Sequence, residues 1–160
     1  MVIALGCDHA GFQLKEKIKQ HLQAQNLPVQ DFGTFDENSV DYPDYALAVA
    51  KAVAAGTCEK GILICGTGIG IGIAANKVPG IRASLCHDLF SAKATREHND
   101  SNILTMGARV VDEKLALEIA DLWLKTEFAG GRHQKRVDKI HAIEDEMAVA
   151  RIKEIAEHAE

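Results

Sequence analysis

Gly61-Ile62-Leu63-Ile64-Cys65-Gly66-Thr67-Gly68-Ile69-Gly70-Ile71-Gly72 is the stretch that decides the fold. A short apolar run ends at Cys65, and glycines then lead straight into a helix expected over about Ile71–Lys77. A continuous apolar run of this length suits a strand buried on both faces, the kind found in parallel sheets. Outward from it, the same alternation recurs. Strands are expected at Val2–Cys7, Val29–Phe32, Gly61–Cys65, Ile81–Cys86 and Ile103–Met106. Helices are expected near Gly11–Gln25, where Leu14, Ile18 and Leu22 share a face, and over Asp44–Ala55 after Pro43. Two more are expected at Leu89–Glu97 and Glu113–Thr126. Strands alternating with helices give an α/β fold, a doubly wound parallel sheet covered on both faces. In such sheets ligands sit outside the carboxyl ends of the strands, so the residues just after each strand are read first.

The chain has 160 residues, 47% hydrophobic and 26% charged, with a net charge of −5. That is one soluble domain, 1–160, and its acidity argues against nucleic acid or an anionic membrane as a partner. The four cysteines form no CxxC pair and read as reduced thiols of a cytoplasmic protein. Met1–Gly6 has no basic region and soon meets Asp8, unlike a secretory leader. A last helix is expected over about 134–157, with Val137, Ile140, Ile143, Met147, Ile152 and Ile155 as its apolar residues. It either packs on its own domain or lies across a second subunit.

The glycine loop fits neither familiar nucleotide fingerprint. Glycines at 66, 68, 70 and 72 have the wrong spacing for G-x-G-x-x-G, and no Gly-Lys-Ser/Thr follows. A phosphatase-type loop would need an arginine to close it, and position 71 is Ile. The loop still offers free N–H groups at a helix start, which can cradle an anion. Cys65 by itself reads as core, but at a helix N-terminus its thiolate is stabilised. Asp8-His9 follows the first strand at the same sheet edge, suited to proton transfer or anion binding, although Asp8 also reads as a helix cap. His98-Asn99 is expected in the turn before the fifth strand. Arg132 and Arg136 in Gly130-Gly131-Arg132-His133-Gln134-Lys135-Arg136 are spaced i, i+4 in the chain's one basic cluster and suit a phosphate. Arg109 is a lesser candidate. His87 either lines the site or sits beside an Asp88 cap; His21, His141 and His158 read as ordinary helix residues. Metal-ligand spacing is missing, so no metal and no cofactor are expected.

Taken together, Asp8-His9-Ala10-Gly11, Asp41-Tyr42-Pro43-Asp44-Tyr45-Ala46, Cys65-Gly66-Thr67-Gly68-Ile69-Gly70 with Ala74-Ala75-Asn76-Lys77, His98-Asn99-Asp100 and Gly130-Gly131-Arg132-His133 resemble the ribose-5-phosphate isomerase B family. Galactose-6-phosphate isomerase subunits belong to the same superfamily. The resemblance covers about residues 1–145. It implies a Rossmann-like three-layer α/β/α sandwich with a five-stranded parallel sheet, and a homodimer or tetramer whose active sites are shared between subunits. It implies that Cys65 moves a proton between C1 and C2 of a sugar phosphate. Thr67 and the amides of Gly66, Gly68, Ile69 and Gly70 would hold the enediolate, and Asp8 and His98 would open the furanose ring. His9, Arg132 and Arg136, with Arg109, would hold the phosphate, and Asn99 a sugar hydroxyl. A second branch of the family uses a glutamate past the loop instead; here Ile71, Gly72 and Ile73 supply no acid. The expected function is ribose 5-phosphate–ribulose 5-phosphate isomerisation. The rivals are a six-carbon aldose 6-phosphate isomerase (allose or galactose 6-phosphate) and a non-catalytic sugar-phosphate-binding module.

Overall fold

Five parallel strands form one sheet in the computed structural model, which describes residues 1–158. They are β1 (Ile3–Cys7), β2 (Val29–Asp31), β3 (Lys60–Cys65), β4 (Ala83–Leu85) and β5 (Ile103–Gly107), in the order β2-β1-β3-β5-β4. Six α-helices accompany them: α1 (Phe12–Ala24), α2 (Tyr42–Ala54), α3 (Ile69–Ala75), α4 (Leu89–Asn99), α5 (Glu113–Lys125) and α6 (Arg132–Glu157).

The apolar runs divide by the two-residue period of a strand. Ile62 and Ile64 of β3 point to one face, into a core with Leu14, Ile18 and Leu22 of α1, Ala92 of α4, and Ile119 and Trp123 of α5. Leu63 and Cys65 point to the other, against Val49 and Val53 of α2 and Ile71 and Ala75 of α3. The result is a Rossmann-like α/β/α sandwich. Trp123 is fully buried, and its Nε1 donates to Ser101 Oγ at 2.8 Å, so the largest core side chain leaves no polar atom stranded.

The chain builds outward from β1 to β2 and then crosses to β3 on the other side of β1. That reversal opens a crevice at the carboxyl ends of β1 and β3. Cys7 is paired with Ile64, which brings Asp8 and Cys65 to that crevice side by side.

Several boundaries differ from those expected; the helix after the glycine loop, for one, is Ile69–Ala75 and not Ile71–Lys77, and three others bear on the fold. The edge strand shortens from Ile81–Cys86 to Ala83–Leu85, because β5 alone supports it. α2 starts at Tyr42, with Pro43 in the first turn, where its missing N–H costs nothing. α4 runs through Asn99 and ends only at Asp100, whose φ of 46° is left-handed. His98 and Asn99 therefore stand in the last turn of a helix, not in the turn before β5.

α6 has 26 residues, and Val137 is its only buried one. The side that faces its own domain is mostly polar: His133, His141 and Glu144 flank the one buried apolar residue, Val137, at the spacing i, i+4, i+8, i+11. His133 stacks on His98, His141 Nε2 lies 2.8 Å from Arg82 Nη1, and Glu144 accepts from Gly80 N at 3.1 Å. The apolar residues Ile140, Ile143, Met147, Val149, Ile152 and Ile155 are exposed instead. Among the described residues, no helix is long and apolar enough to cross a membrane.

One charged cluster is deeply buried. Lys15 of α1 is fully buried, and its Nζ donates to Asp31 Oδ1 and Oδ2 at 2.7 and 2.9 Å and to the Thr34 carbonyl at 2.7 Å. It joins α1 to β2 and to the loop after β2.

Candidate active site

Cys65 is the last residue of β3, 5% exposed, and Gly68 N donates to its Sγ at 3.1 Å. That amide turns the positive end of its dipole onto the sulfur. The loop is made for this approach: Gly68 has φ +76°, and a Cβ there would lie 2.6 Å from the Met106 backbone. Ile69 N is taken by Thr67 Oγ1 at 3.3 Å. The amides of Thr67 and Gly70 have no acceptor among the described residues, as expected of a helix's first turn. Thr67 is exposed and Gly70 half-buried, so the loop borders solvent.

The same edge gathers Asp8, His9 and Arg109. Asp8 Oδ1 accepts from Ala10 N and Gly11 N at 3.0 and 3.1 Å, capping a short 3-10 turn over His9–Gly11. It is a cap through one oxygen and keeps the other, so the two readings of this residue coexist. His9 Nδ1 accepts from Val40 N at 3.2 Å, which leaves Nε2 to carry the proton and point a donor outward. Arg109 lies along the loop: its Nη1 would be 3.2 Å from a Cβ on Gly66, and its own N donates to the Gly66 carbonyl at 3.0 Å.

His98, Asn99, Arg132 and Arg136 are elsewhere. α4 leaves the carboxyl edge after β4 and runs back antiparallel to the strands, which carries His98 about 13 Å along the helix axis, to the opposite sheet edge. There the His98 and His133 rings stack with centroids 4.4 Å apart and planes 13° from parallel. Partial loss of solvation, then the neighbouring charges of His98, Arg132 and Arg136, hold the His133 imidazole below its usual value. The four groups thus form one electropositive patch at the helix start, suited to a phosphate. One chain carries the expected residues as two groups on opposite edges.

The family model for Ribose/Galactose Isomerase matches residues 3–140. The chain belongs to this family. Ribose-5-phosphate isomerase B of Escherichia coli is 54% identical over 142 residues, 89% of this chain and 95% of that protein. The structure of Clostridium thermocellum ribose-5-phosphate isomerase B superposes with a TM-score of 0.91 at 56% identity, covering 92% of this chain and 99% of that one. The Mycoplasma genitalium ribose-5-phosphate isomerase B, solved with bound ribulose 5-phosphate, has a TM-score of 0.87 at 41% identity over 91% of this chain and 97% of its own. The last turns of α6 lie beyond the residues the isomerase family model matches.

Tyr42 and His133 of this isomerase chain join the site though sequence reasoning gave them no role, and His87, read as lining the site or sitting beside an Asp88 cap, joins them. The Tyr42 ring packs on Gly70, where an added Cβ would meet it at 2.7 Å, so it roofs the glycine loop. The half-buried His87 accepts from Gly107 N at 3.0 Å, and the Gly107 backbone touches Thr67. His87 therefore supports the loop from behind, while Asp88 caps α4 by accepting from Ser91 N. His133 completes the stack with His98. Tyr42 and His133 lay inside the quoted motifs, so the signal for them was present; His87 needed the strand order. His21 is not a bare surface residue either, since Asp121 Oδ1 lies 2.9 Å from its Nε2. Among the described residues, no group of three or more His, Cys, Asp or Glu side chains converges as metal ligands would.

Proposed function

We propose that this chain is an aldose–ketose isomerase that interconverts ribose 5-phosphate and ribulose 5-phosphate through a cis-enediolate, acting in the cytoplasm. The observation that carries the reading is Cys65 with an amide on its sulfur, at the switch-point crevice beside Asp8, in a chain of this family. The two half-sites complete one another when a second copy sets its His98–Arg136 edge over the Cys65 loop. The exposed apolar residues of α3 and β4, Ile69, Ile73 and Leu85, border that loop and supply surface for the contact.

The steps follow from the groups in hand. Arg132 and Arg136 of one copy, with His9 and Arg109 of the other, hold the phosphate dianion. Asp8 and His98 exchange the protons that open the furanose ring. Cys65 thiolate takes the carbon-bound proton from C2, and the free amides of Thr67 and Gly70 receive the negative charge that develops on the enediolate oxygens. The thiol returns the proton to C1, and the hydroxyl proton of O2 passes to O1, so that the aldehyde becomes a hydroxymethyl group and C2 a carbonyl. No step calls for a nucleotide.

Isomerisation of ribose 5-phosphate, measured beside allose and galactose 6-phosphates and repeated with a chelator, tests the reading. Turnover confined to a six-carbon substrate would replace the pentose, and binding of all three without turnover would leave a binding module. Loss of activity on chelation overturns the cofactor-free scheme. Arg132→Ala should raise KM for the phosphorylated sugar by about tenfold or more while kcat changes little, because a phosphate contact binds ground and transition states alike. Unchanged KM would remove Arg132 from the phosphate site.

A further inference from the structure

Arg82 stands immediately before β4 with its side chain only 14% exposed, and every guanidinium nitrogen is engaged. Nε donates to the Asn99 and Asp100 carbonyls at 3.0 and 3.1 Å. Nη2 donates to the Asp100 carbonyl at 2.8 Å and reaches its carboxylate at 3.3 Å. Nη1 lies 2.8 Å from His141 Nε2. An arginine cannot give up its proton, so His141 accepts here and is held in the Nδ1–H tautomer.

The two ends of this fork are two different helices. Asn99 and Asp100 close α4, where the last carbonyls lack partners and favour a cation. His141 lies nine residues past Arg132 on α6, about 13 Å along its axis. The same helices meet once more where His98 stacks on His133. One contact between two helices leaves a pivot; two contacts fix the angle. A planar fork with fixed donor directions suits that task better than a flexible ammonium.

We infer that Arg82, acting through His141, is a positioning residue that sets the phosphate-binding face of α6 against the sugar-contacting end of α4. It rests on the functional reading of His98, Asn99, Arg132 and Arg136 as substrate contacts. Arg82 touches no substrate itself. It decides how far the two arginines stand from His98 and Asn99, and hence the length of phosphosugar that reaches both.

Steady-state kinetics with ribose 5-phosphate, and calorimetric binding of inorganic phosphate, are measured for Arg82→Ala, Arg82→Lys and His141→Ala. Arg82→Ala is expected to raise KM and weaken phosphate about tenfold, and His141→Ala about threefold, with kcat held within about twofold. Arg82→Lys keeps the charge and loses the fork, so it falls between wild type and Arg82→Ala. In an Arg132→Ala, Arg136→Ala background, adding Arg82→Ala should raise KM no further, because Arg82 acts through those two contacts. An additive effect overturns the inference. So does a fall in kcat at constant KM, which is what a merely smaller folded fraction gives. If Arg82→Ala does not fold, His141→Ala decides the matter, since it removes one contact from a half-exposed helix position. A wild-type chain that binds phosphate without isomerising any of the sugars overturns the functional reading instead. The positioning role is then decided by phosphate affinity alone, and unchanged affinity in both variants overturns it.

Discussion

Cys65→Ala is expected to lower turnover about 10²–10⁴-fold, the range that general base catalysis supplies, while KM for ribose 5-phosphate stays near wild type. The split follows from the geometry. The thiol is 5% exposed and engaged by Gly68 N, so it contributes little surface to bind a sugar. It acts on a carbon-bound proton and matters in the transition state. The fold should survive the change, because Cys65 sits at the strand's end, not in the middle of the sheet, and loses one sulfur atom. The assay is steady-state isomerisation with a circular dichroism check on folding. A folded Cys65→Ala chain with near-normal turnover would falsify the thiol as base, leaving Asp8, with its free oxygen at the same edge, as the group to examine next. Neither Ile71 nor Ile73 could take over, as neither carries an acid.

Asp31→Ala carries the second large effect, on stability instead of rate. Asp31 answers two donors besides Lys15 Nζ's double contact, Lys19 Nζ at 2.8 Å and Gly33 N at 2.9 Å. Removing it leaves the fully buried Lys15 ammonium with Glu16 at 3.3 Å and one carbonyl. Breaking a buried pair from one side costs roughly 3–5 kcal/mol, and the surviving Glu16 contact puts this case at about 3. Lys15→Met should cost less, since Asp31 keeps Lys19, the Gly33 amide and some solvent. Urea denaturation reads both. Equal losses would mean that packing, not the stranded charge, sets the cost.

The same cluster fixes a pH dependence. Burial alone would raise the Asp31 carboxyl, but hydrogen bonds from Lys15, Lys19 and Gly33 N more than reverse it and hold it below its usual 3.8. The unfolded chain therefore binds the proton more readily than the folded one. The stabilisation is full above the usual carboxylate range and is lost as pH falls through it toward the folded value. Asp31→Ala should flatten that part of the acid denaturation profile.

How much of this was legible depends on which distances a residue's role spans. The strands and helices were readable because β1, β3 and β5 are buried on both faces and leave unbroken apolar runs. β4 was overdrawn by the same rule, since an edge strand has one supporting neighbour and apolar residues can outrun it. Cys65 and its loop were legible because cysteine, glycines and helix are adjacent in the chain. His98 was misplaced by a single residue's backbone: Asp100, not Glu97, adopts the left-handed conformation that ends α4. Strand order was beyond reach, and with it the pairing of Arg82 with His141, 59 residues apart, and the choice between the two readings of His87, whose partner Gly107 lies 20 residues away. α6 shows the limit of an apolar pattern. The stripe was visible, but the side that docks is held by polar groups, which periodicity does not weigh.

The antiparallel run of α4, which parts His98 from Cys65 by the height of the sheet, has a consequence for mixtures of damaged chains. In a shared-site dimer, a lesion at Cys65 and a lesion at Arg132 never need to fall in the same site. Two separately impaired chains, Cys65→Ala slow in turnover and Arg132→Ala weak in binding, should complement when they are unfolded and refolded together. Each mixed dimer then holds one site with both lesions and one with none. Two variants from the same edge, Cys65→Ala with Asp8→Ala, leave every site damaged and should not complement. The refolded mixture of the first pair should regain sites with wild-type kcat and KM together, which neither parent chain supplies.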